Sequence, residues 1–405
     1  MWFTVVADEY CDAMEDLLPG EDDPRRAVVR EWIAAHPDAT PRELAESGYV
    51  APHWPSPWGL DADPVHQLII DDEFHRAGVK RPSNQIGIGW AAPTIIFAGT
   101  DEQKKRYVLP ALAAEEIWCQ LFSEPGAGSD LASLGTRAVR DGDEWVVNGQ
   151  KIWTTGAHYS KFGILIARTD PDAPKHKGIT YFICPMDAPG IEVRNIRNIA
   201  GADSFNEVFF TDVRIPHSNV VGEVNDGWRL AKVTLGNERV SLSSGGVLWG
   251  AGPKATDIID EARAIGITDA VMRQRLAALY IEHFVLEIIR MRTLSARLRG
   301  EQPGPEASIR KIMADEHGQR AMEIARDLVG MDALLTGSRG GEKTLRSRSW
   351  YSGYMFSKAL TIGGGTGEVQ RNILGERVLG LPPEPDDSTG KPWAETMRTQ
   401  AKAVR

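Results

Sequence analysis

The hydrophobic period of this chain changes twice, and no fold that lacks both changes can accommodate it. Capped helical runs come first, short β-like runs follow from about Cys119, and helical spacing returns at Trp228. Asp23 precedes Pro24 and the amphipathic run Arg25 to His36, and Thr40 precedes Pro41 and a segment stopped by Gly48. A polar cap, a proline in the first turn and a glycine past the end are the asymmetric signature of a helix. Thr100 with Gln103 has the spacing of a capping box and opens a run to Ala114. Between these runs, Ala51 to Gly59 holds three prolines and two tryptophans, too many prolines for a helix.

The middle block reads as strands. Thr136 to Arg140 and Glu144 to Val147 flank Asp141-Gly142-Asp143, and Asn148-Gly149 then reads as a further hairpin turn, since both residues tolerate positive φ. Phe162 to Ala167, Ile179 to Cys184, Ile191 to Ile196 and Glu207 to Val213 add more short strands, which predicts a small antiparallel barrel or sandwich. Beyond Trp228, Leu276, Leu279, Tyr280, His283, Phe284, Leu286, Ile288 and Met291 predict one long buried helical stripe, and Ile309 to Val329 another. The expected class is α+β. Residues 1–118 form an N-terminal helical domain, 119–225 a middle β domain, 226–380 a C-terminal helical bundle and 381–405 a polar, Pro-rich surface strap.

A length of 405 residues suffices for two or three domains, and 42% apolar with 25% charged residues is ordinary for a globular chain. No apolar stretch approaches the length of a membrane span, and the first residues lack the basic and apolar regions of a signal peptide. The three scattered cysteines, Cys11, Cys119 and Cys184, suit a reducing cytosol, and the nine histidines do not fall at metal spacings, so no metal is expected. A net charge of −10 disfavours a nucleic-acid partner. It leaves open a small anionic ligand held at helix N-termini.

Two stretches suggest chemistry. Cys119 to Asp130, reading CQLFSEPGAGSD, is a glycine-broken loop with free N–H groups and hydroxyls; Gln150 to Thr155, reading QKIWTT, leads an indole and two hydroxyls out of a β-hairpin. Together they suit a flat, polar-edged heterocycle and its phosphate. A plain interdomain turn is the bland reading of the loop, and a core tryptophan that of Trp153. Residue for residue, however, the pair resembles the flavin site of the acyl-CoA dehydrogenase family. The resemblance covers the chain after about Pro24. It implies a C-terminal four-helix bundle, with FAD between middle and C-terminal domains and across a dimer interface. It further implies that Phe122 and Ser123 hold the pyrimidine side of the flavin, with Gly128 in the same loop. Trp153 would stack on the ring, Thr155 would bond near N5, and Ser129 would face phosphate or pantetheine. The run Thr361 to Asn372, reading TIGGGTGEVQRN, resembles the segment that holds the adenine end of FAD and the acyl carbonyl, with Thr366 and Glu368 at a helix N-terminus.

Oxidising a saturated acyl-CoA requires a carboxylate against the α proton. Many family members carry that glutamate at the position matched here by Gly364; a second subgroup carries it on the first C-terminal-domain helix, where this chain has Glu238 followed by Arg239. Glycine at 364 leaves the space free, so the resemblance implies Glu238 as base, Arg239 near the substrate and the Gly364 N–H as a donor to the thioester oxygen. An ion pair of Glu238 with Arg239 or Lys232 is the plain alternative. Two motifs depart from the family. Arg263-Ala264-Ile265-Gly266-Ile267 lacks the usual phenylalanine, although Gln274 stands at the right spacing, and Asp327 replaces a usual glutamine. Arg263 and Gln274 are expected to reach the FAD of a neighbouring subunit, or else to lie on a solvated face.

The reading is an FAD-dependent, cytoplasmic enzyme forming a trans-2-enoyl-CoA and passing electrons to an electron-transfer flavoprotein. It would act as a homodimer or homotetramer, or as a heteromer with a related subunit. An oxidase or flavin monooxygenase on the same fold, and a non-catalytic partner subunit, are the alternatives. Small residues Gly87, Gly89, Ala91 and Ala92, with the Pro/Trp loop, suggest a wide acyl pocket.

Overall fold

A computed structural model of the chain describes residues 19–244, 255–298, 304–305, 307–331, 350–385 and 388–403. Its N-terminal part is helical, as the caps require. Helix α1 (Pro24–Ala35) begins at Asp23, whose carboxylate accepts from Arg25 N, and α2 (Pro41–Glu46) begins in a complete capping box of Thr40 with Glu43. Helix α3 (Pro64–Ala77) ends at Gly78 in the left-handed conformation. A π-turn over Gly87–Ala91 runs into α4 (Ala92–Ala98), and α5 (Asp101–Leu112) starts in the Thr100–Gln103 box.

Seven strands follow in one sheet: β1 (Trp118–Leu121), β2 (Arg137–Asp141), β3 (Glu144–Thr155), β4 (Phe162–Arg168), β5 (Ile179–Pro185), β6 (Ile191–Ile196) and β7 (Phe205–Pro216). The order is β1-β4-β2-β3-β7-β6, with β5 on β4. Most pairings are antiparallel as expected, but β1 pairs parallel with β4, Trp118 opposite Phe162. A long connection through β2 and β3 separates the two strands, which is what parallel pairing needs. Strands β4 and β5 are buried on both faces. Ile164, Ile166, Tyr181 and Ile183 join a core shared with the N-terminal helices, while Leu165, Ala167, Phe182 and Cys184 join a second core on the other side. Double coverage explains why these strands read as unbroken apolar runs.

The expected hairpin turn at Asn148-Gly149 is not there. β3 runs unbroken from Glu144 to Thr155 along β7, and the pairing register shifts between Val147 and Gly149. Asn148 exchanges two 3.0 Å hydrogen bonds with Asp212, through its side-chain oxygen and amide nitrogen. A Cβ at Gly149 would lie 2.5 Å from Thr136 Oγ1. The dipeptide therefore builds a β-bulge, another use of the same permissive backbone.

The C-terminal part is helical again: α6 (Gly227–Ser244), α7 (Ala255–Ala264), α8 (Ala270–Leu298), α9 (Ala307–Val329), α10 (Trp350–Ser357) and α11 (Gly367–Arg377). Leu276, Leu279, Met322, Ala325 and Leu360 form its core. The stripe expected along α8 is buried at Leu276, Leu279 and Leu286, but Ile288 is 43% exposed. A last helix, α12 (Trp393–Ala403), lies back against the β region, with Trp393 N donating to Ala173 O at 2.9 Å. Among the described residues no helix is long and apolar enough to cross a membrane, and no group of three or more His, Cys, Asp or Glu could hold a metal ion.

Candidate active site

The glycine loop and the end of β3 are one unit. Ile152 N donates to Ser123 O at 2.9 Å, and Glu124 and Ala127 exchange backbone hydrogen bonds that fold Pro125-Gly126 into a tight turn. Phe122 is buried against Tyr181, while Gly128, Ser129 and Asp130 are exposed. A Cβ at Gly126 or Gly128 would meet nothing within 4 Å, so both glycines border open space. On the facing strand a second register shift falls between Lys151 and Thr154, and Trp153 sits inside it at φ +61°. Positive φ is unusual for a bulky residue and commonly marks a functional constraint. The bulge turns the indole outward, 58% exposed and 6.1 Å from the Phe205 ring in an edge contact. Thr155 is exposed beside it, and buried Thr154 Oγ1 has no hydrogen-bond partner.

A buried ion pair missed at the level of sequence fixes this unit. The Lys151 ammonium, fully buried, donates to Phe122 O at 2.9 Å and to Glu124 Oε1 at 2.8 Å. Glu124 also accepts from Gly135 N at 2.7 Å and Thr136 N at 2.9 Å. Burial alone would raise the Glu124 carboxyl; the Lys151 charge and these donors hold it below the usual carboxylate range. The signal was present in the sequence: Trp145, Val147 and Lys151 share the inward side of β3, so a lysine stood where an apolar residue was due.

The second cradle lies in the C-terminal part. Gly364 and Gly365 adopt φ +67° and +91°, and a Cβ at Gly365 would lie 2.5 Å from the Gln370 amide nitrogen. Thr366 caps α11, its hydroxyl accepting from Val369 N at 3.2 Å. Glu368, exposed in the first turn, has its carboxyl lowered by its own backbone N–H and the Thr366 hydroxyl. Gly367 N donates to Thr361 O at 3.1 Å and Val369 N is taken by the Thr366 hydroxyl, so what this helix start offers a dinucleotide phosphate is its dipole, which the Glu368 charge opposes. With an outward indole, an open glycine loop and this helix start, the residues present fit FAD.

Helix α6 connects to the other two parts through buried hydroxyls. Thr234 Oγ1 lies 2.9 Å from Thr94 Oγ1 and 3.0 Å from Tyr181 OH, and Thr94 Oγ1 donates to Trp90 O in the π-turn at 2.8 Å. Position 238 follows Thr234 by one turn on the same side of α6. The side chains of Glu238 and Arg239 lie outside the described residues.

The other expected residues sit apart. Arg263 is 66% exposed and paired with Asp260 at 3.0 Å, and Gln274 is exposed, so within one chain neither is shown against the glycine loops. Asp327 is paired with Arg275 at 2.8 Å and Arg326 at 2.6 Å, which neutralises the carboxylate. Arg346 and Arg348, which the sequence offers either to CoA phosphates or to a solvated face, lie outside the described residues. Gly87 does not open an acyl pocket: a Cβ there would lie 2.2 Å from the Asn84 amide, which fills that space and bonds Ala111 O and Glu116 O.

Residues 8–116, 119–213 and 225–379 match, in turn, the N-terminal, middle and C-terminal domain models of the acyl-CoA dehydrogenases. The chain is 43% identical over 88% of its length to acyl-CoA dehydrogenase FadE34 of Mycobacterium tuberculosis, and spans about half of that relative, 48%. It is 36% identical to acyl-CoA dehydrogenase IpdE1 of the same organism, over 85% of this chain and 87% of that one. Among solved structures, one titled Tcur3481-Tcur3483 steroid ACAD superposes with a TM-score of 0.74 at 30% identity, covering 94% of this chain and 98% of the other. The chain belongs to the acyl-CoA dehydrogenase family, whose members are FAD-dependent oxidoreductases.

Proposed function

We propose that this chain oxidises an acyl-CoA thioester to the trans-2-enoyl-CoA, with Glu238 as the base. The observation that carries the reading is the locked unit of glycine loop and outward Trp153, present in a chain that matches all three family domains. When bound, FAD supplies the acceptor for the hydride that leaves the β carbon. The Glu238 carboxylate takes the α proton, so two C–H bonds break and one C=C bond forms. Glycine at 364 keeps a second carboxylate out of the same space, and its N–H is the donor we assign to the thioester oxygen as charge grows there. Ser129 and Arg239 bind the CoA end, and Phe122, Ser123, Gly128, Trp153, Thr155, Thr366 and Glu368 border the cofactor. An electron-transfer flavoprotein is the electron acceptor.

A bulky, ring-bearing acyl group is the substrate class we favour, because a structural neighbour at 30% identity is titled a steroid ACAD. That neighbour is named as a pair, and we take this chain to work with a second subunit that completes the FAD site. Retention of Glu238 and Trp153 makes it the catalytic member.

The test is anaerobic flavin bleaching by a panel of straight-chain, branched and ring-bearing acyl-CoAs. Glu238→Gln should keep the yellow cofactor and slow bleaching about 10²–10⁴-fold, the usual contribution of a general base. Bleaching at the wild-type rate would dismiss Glu238, and a preference for short straight chains would dismiss the substrate class.

A further inference from the structure

Helix α12 and its preceding turn form part of no site described above, yet they reach the glycine loop. Trp393 N donates to Ala173 O at 2.9 Å and Ala394 N to Pro171 O at 3.0 Å, and Pro392 bridges to Pro174. The Trp393 indole N–H donates to Ser133 O at 3.2 Å, and its ring lies 4.9 Å from the Arg168 guanidinium. Arg168, 1% exposed, donates to Ala132 O at 2.6 Å and Lys175 O at 2.8 Å. Its Nε has no partner, so the indole face is part of what compensates a desolvated cation. A Cβ at Gly135 would lie 3.7 Å from both the Trp393 ring and Glu124 Oε2. Segment 131–136 is therefore held between the tail and Glu124, and Glu124 passes the constraint to Lys151 and Phe122 O.

We propose that Trp393 and Arg168 are positioning residues for the cofactor loop, and that the segment Ser388–Ala403 is a clamp holding loop 122–136 in its cofactor-binding shape. Neither side chain is assigned contact with FAD. Each acts by fixing the carbonyls of Ala132 and Ser133, which follow the exposed stretch Gly128 to Asp130 after the single buried residue Leu131. The inference rests on the reading that this loop holds FAD.

The experiment measures first-order FAD release from purified holoprotein, followed by recovery of flavin fluorescence. Trp393→Ala removes both ring and N–H and should speed release about tenfold, equal to about 1.4 kcal/mol. Trp393→Phe keeps a ring over Arg168 but loses the bond to Ser133 O, and should fall between Ala and wild type. Truncation after Pro385 should behave as Trp393→Ala, and a peptide of residues 386–405 added in trans should slow release again. Release of FAD from natively folded Trp393→Ala, by circular dichroism, at the wild-type rate overturns the clamp. Lack of rescue by both Phe and the peptide, alongside a lowered melting temperature, also overturns it and leaves a purely structural role. A wild-type assembly, with the second subunit present, that never retains FAD instead overturns the cofactor reading on which the proposal stands.

Discussion

Lys151 is a residue whose removal separates stability from chemistry. Its ammonium is desolvated, and among the described residues Glu124 and the Phe122 carbonyl face it at hydrogen-bond distance. Lys151→Met would leave the Glu124 carboxylate buried with two N–H donors and no cation at hydrogen-bond distance, only the more distant Arg168 charge. Breaking a buried pair in this way costs about 3–5 kcal/mol. The urea midpoint should fall accordingly, and Glu124→Gln added to Lys151→Met should recover part of the loss. The pH dependence has a definite sign. Glu124 has a folded pKa below its ordinary 4.5, so its contribution is present above about pH 4.5 and is lost as pH falls through the lower folded value. Wild-type stability should therefore drop more steeply on acidification than that of the double variant, read from urea midpoints at pH 3 to 7. An equal slope would remove Glu124 as the responsible group.

At the scale of elements, what was legible in the sequence was what local chemistry decides. The capping boxes at Thr40 and Thr100 and the hairpin across Asp141-Gly142-Asp143 depend on neighbours a few residues apart, and each is found as expected. Asn148-Gly149 was misread because its partner, Asp212, is distant in sequence, and the same dipeptide serves a turn or a bulge. The Thr94–Thr234–Tyr181 cluster was unreadable for the same reason: it joins three elements. Three hydroxyl protons serve four contacts: Thr94 to Trp90 O, Thr234 to Leu230 O at 3.2 Å, and the shared pairs Thr94–Thr234 and Tyr181–Thr234. Thr234→Val removes the hydroxyl that lies 3.0 Å from the buried Tyr181 OH and 2.9 Å from Thr94 Oγ1, costing about 1–3 kcal/mol. Because position 238 is one turn further along α6, substrate-driven flavin reduction should also slow, with acyl-CoA affinity unchanged. Stopped-flow reduction over a range of acyl-CoA concentrations separates the two, and Thr234→Ser should restore the rate. A loss of affinity with an unchanged limiting rate would place Thr234 in substrate binding instead.

Across the whole molecule, the N-terminal helices and the sheet share one core that reaches Leu230 and Ala231 of α6, while α7 to α10 pack around a core of their own. The order helix, strand, helix was legible because it is written in the period. How the cofactor site closes was not, since Arg263, paired with Asp260, and Gln274 are both exposed in a single chain. Val271, Ile281 and Met331, on or beside the same group of helices, are 69%, 62% and 79% exposed. Exposed apolar side chains on the helices that carry Arg263 and Gln274, the two residues we propose reach a neighbouring subunit's FAD, fit a site completed by a second subunit. Such a site makes FAD retention concentration-dependent: dilution dissociates the assembly, and the cofactor leaves with it. FAD release should accelerate as holoprotein is diluted, in step with loss of the larger species by light scattering. Arg263→Ala should accelerate release at every concentration and leave the assembly size unchanged. Release that is independent of protein concentration across the dissociation range would show that one chain holds FAD by itself, and Arg263 would then be only the surface partner of Asp260.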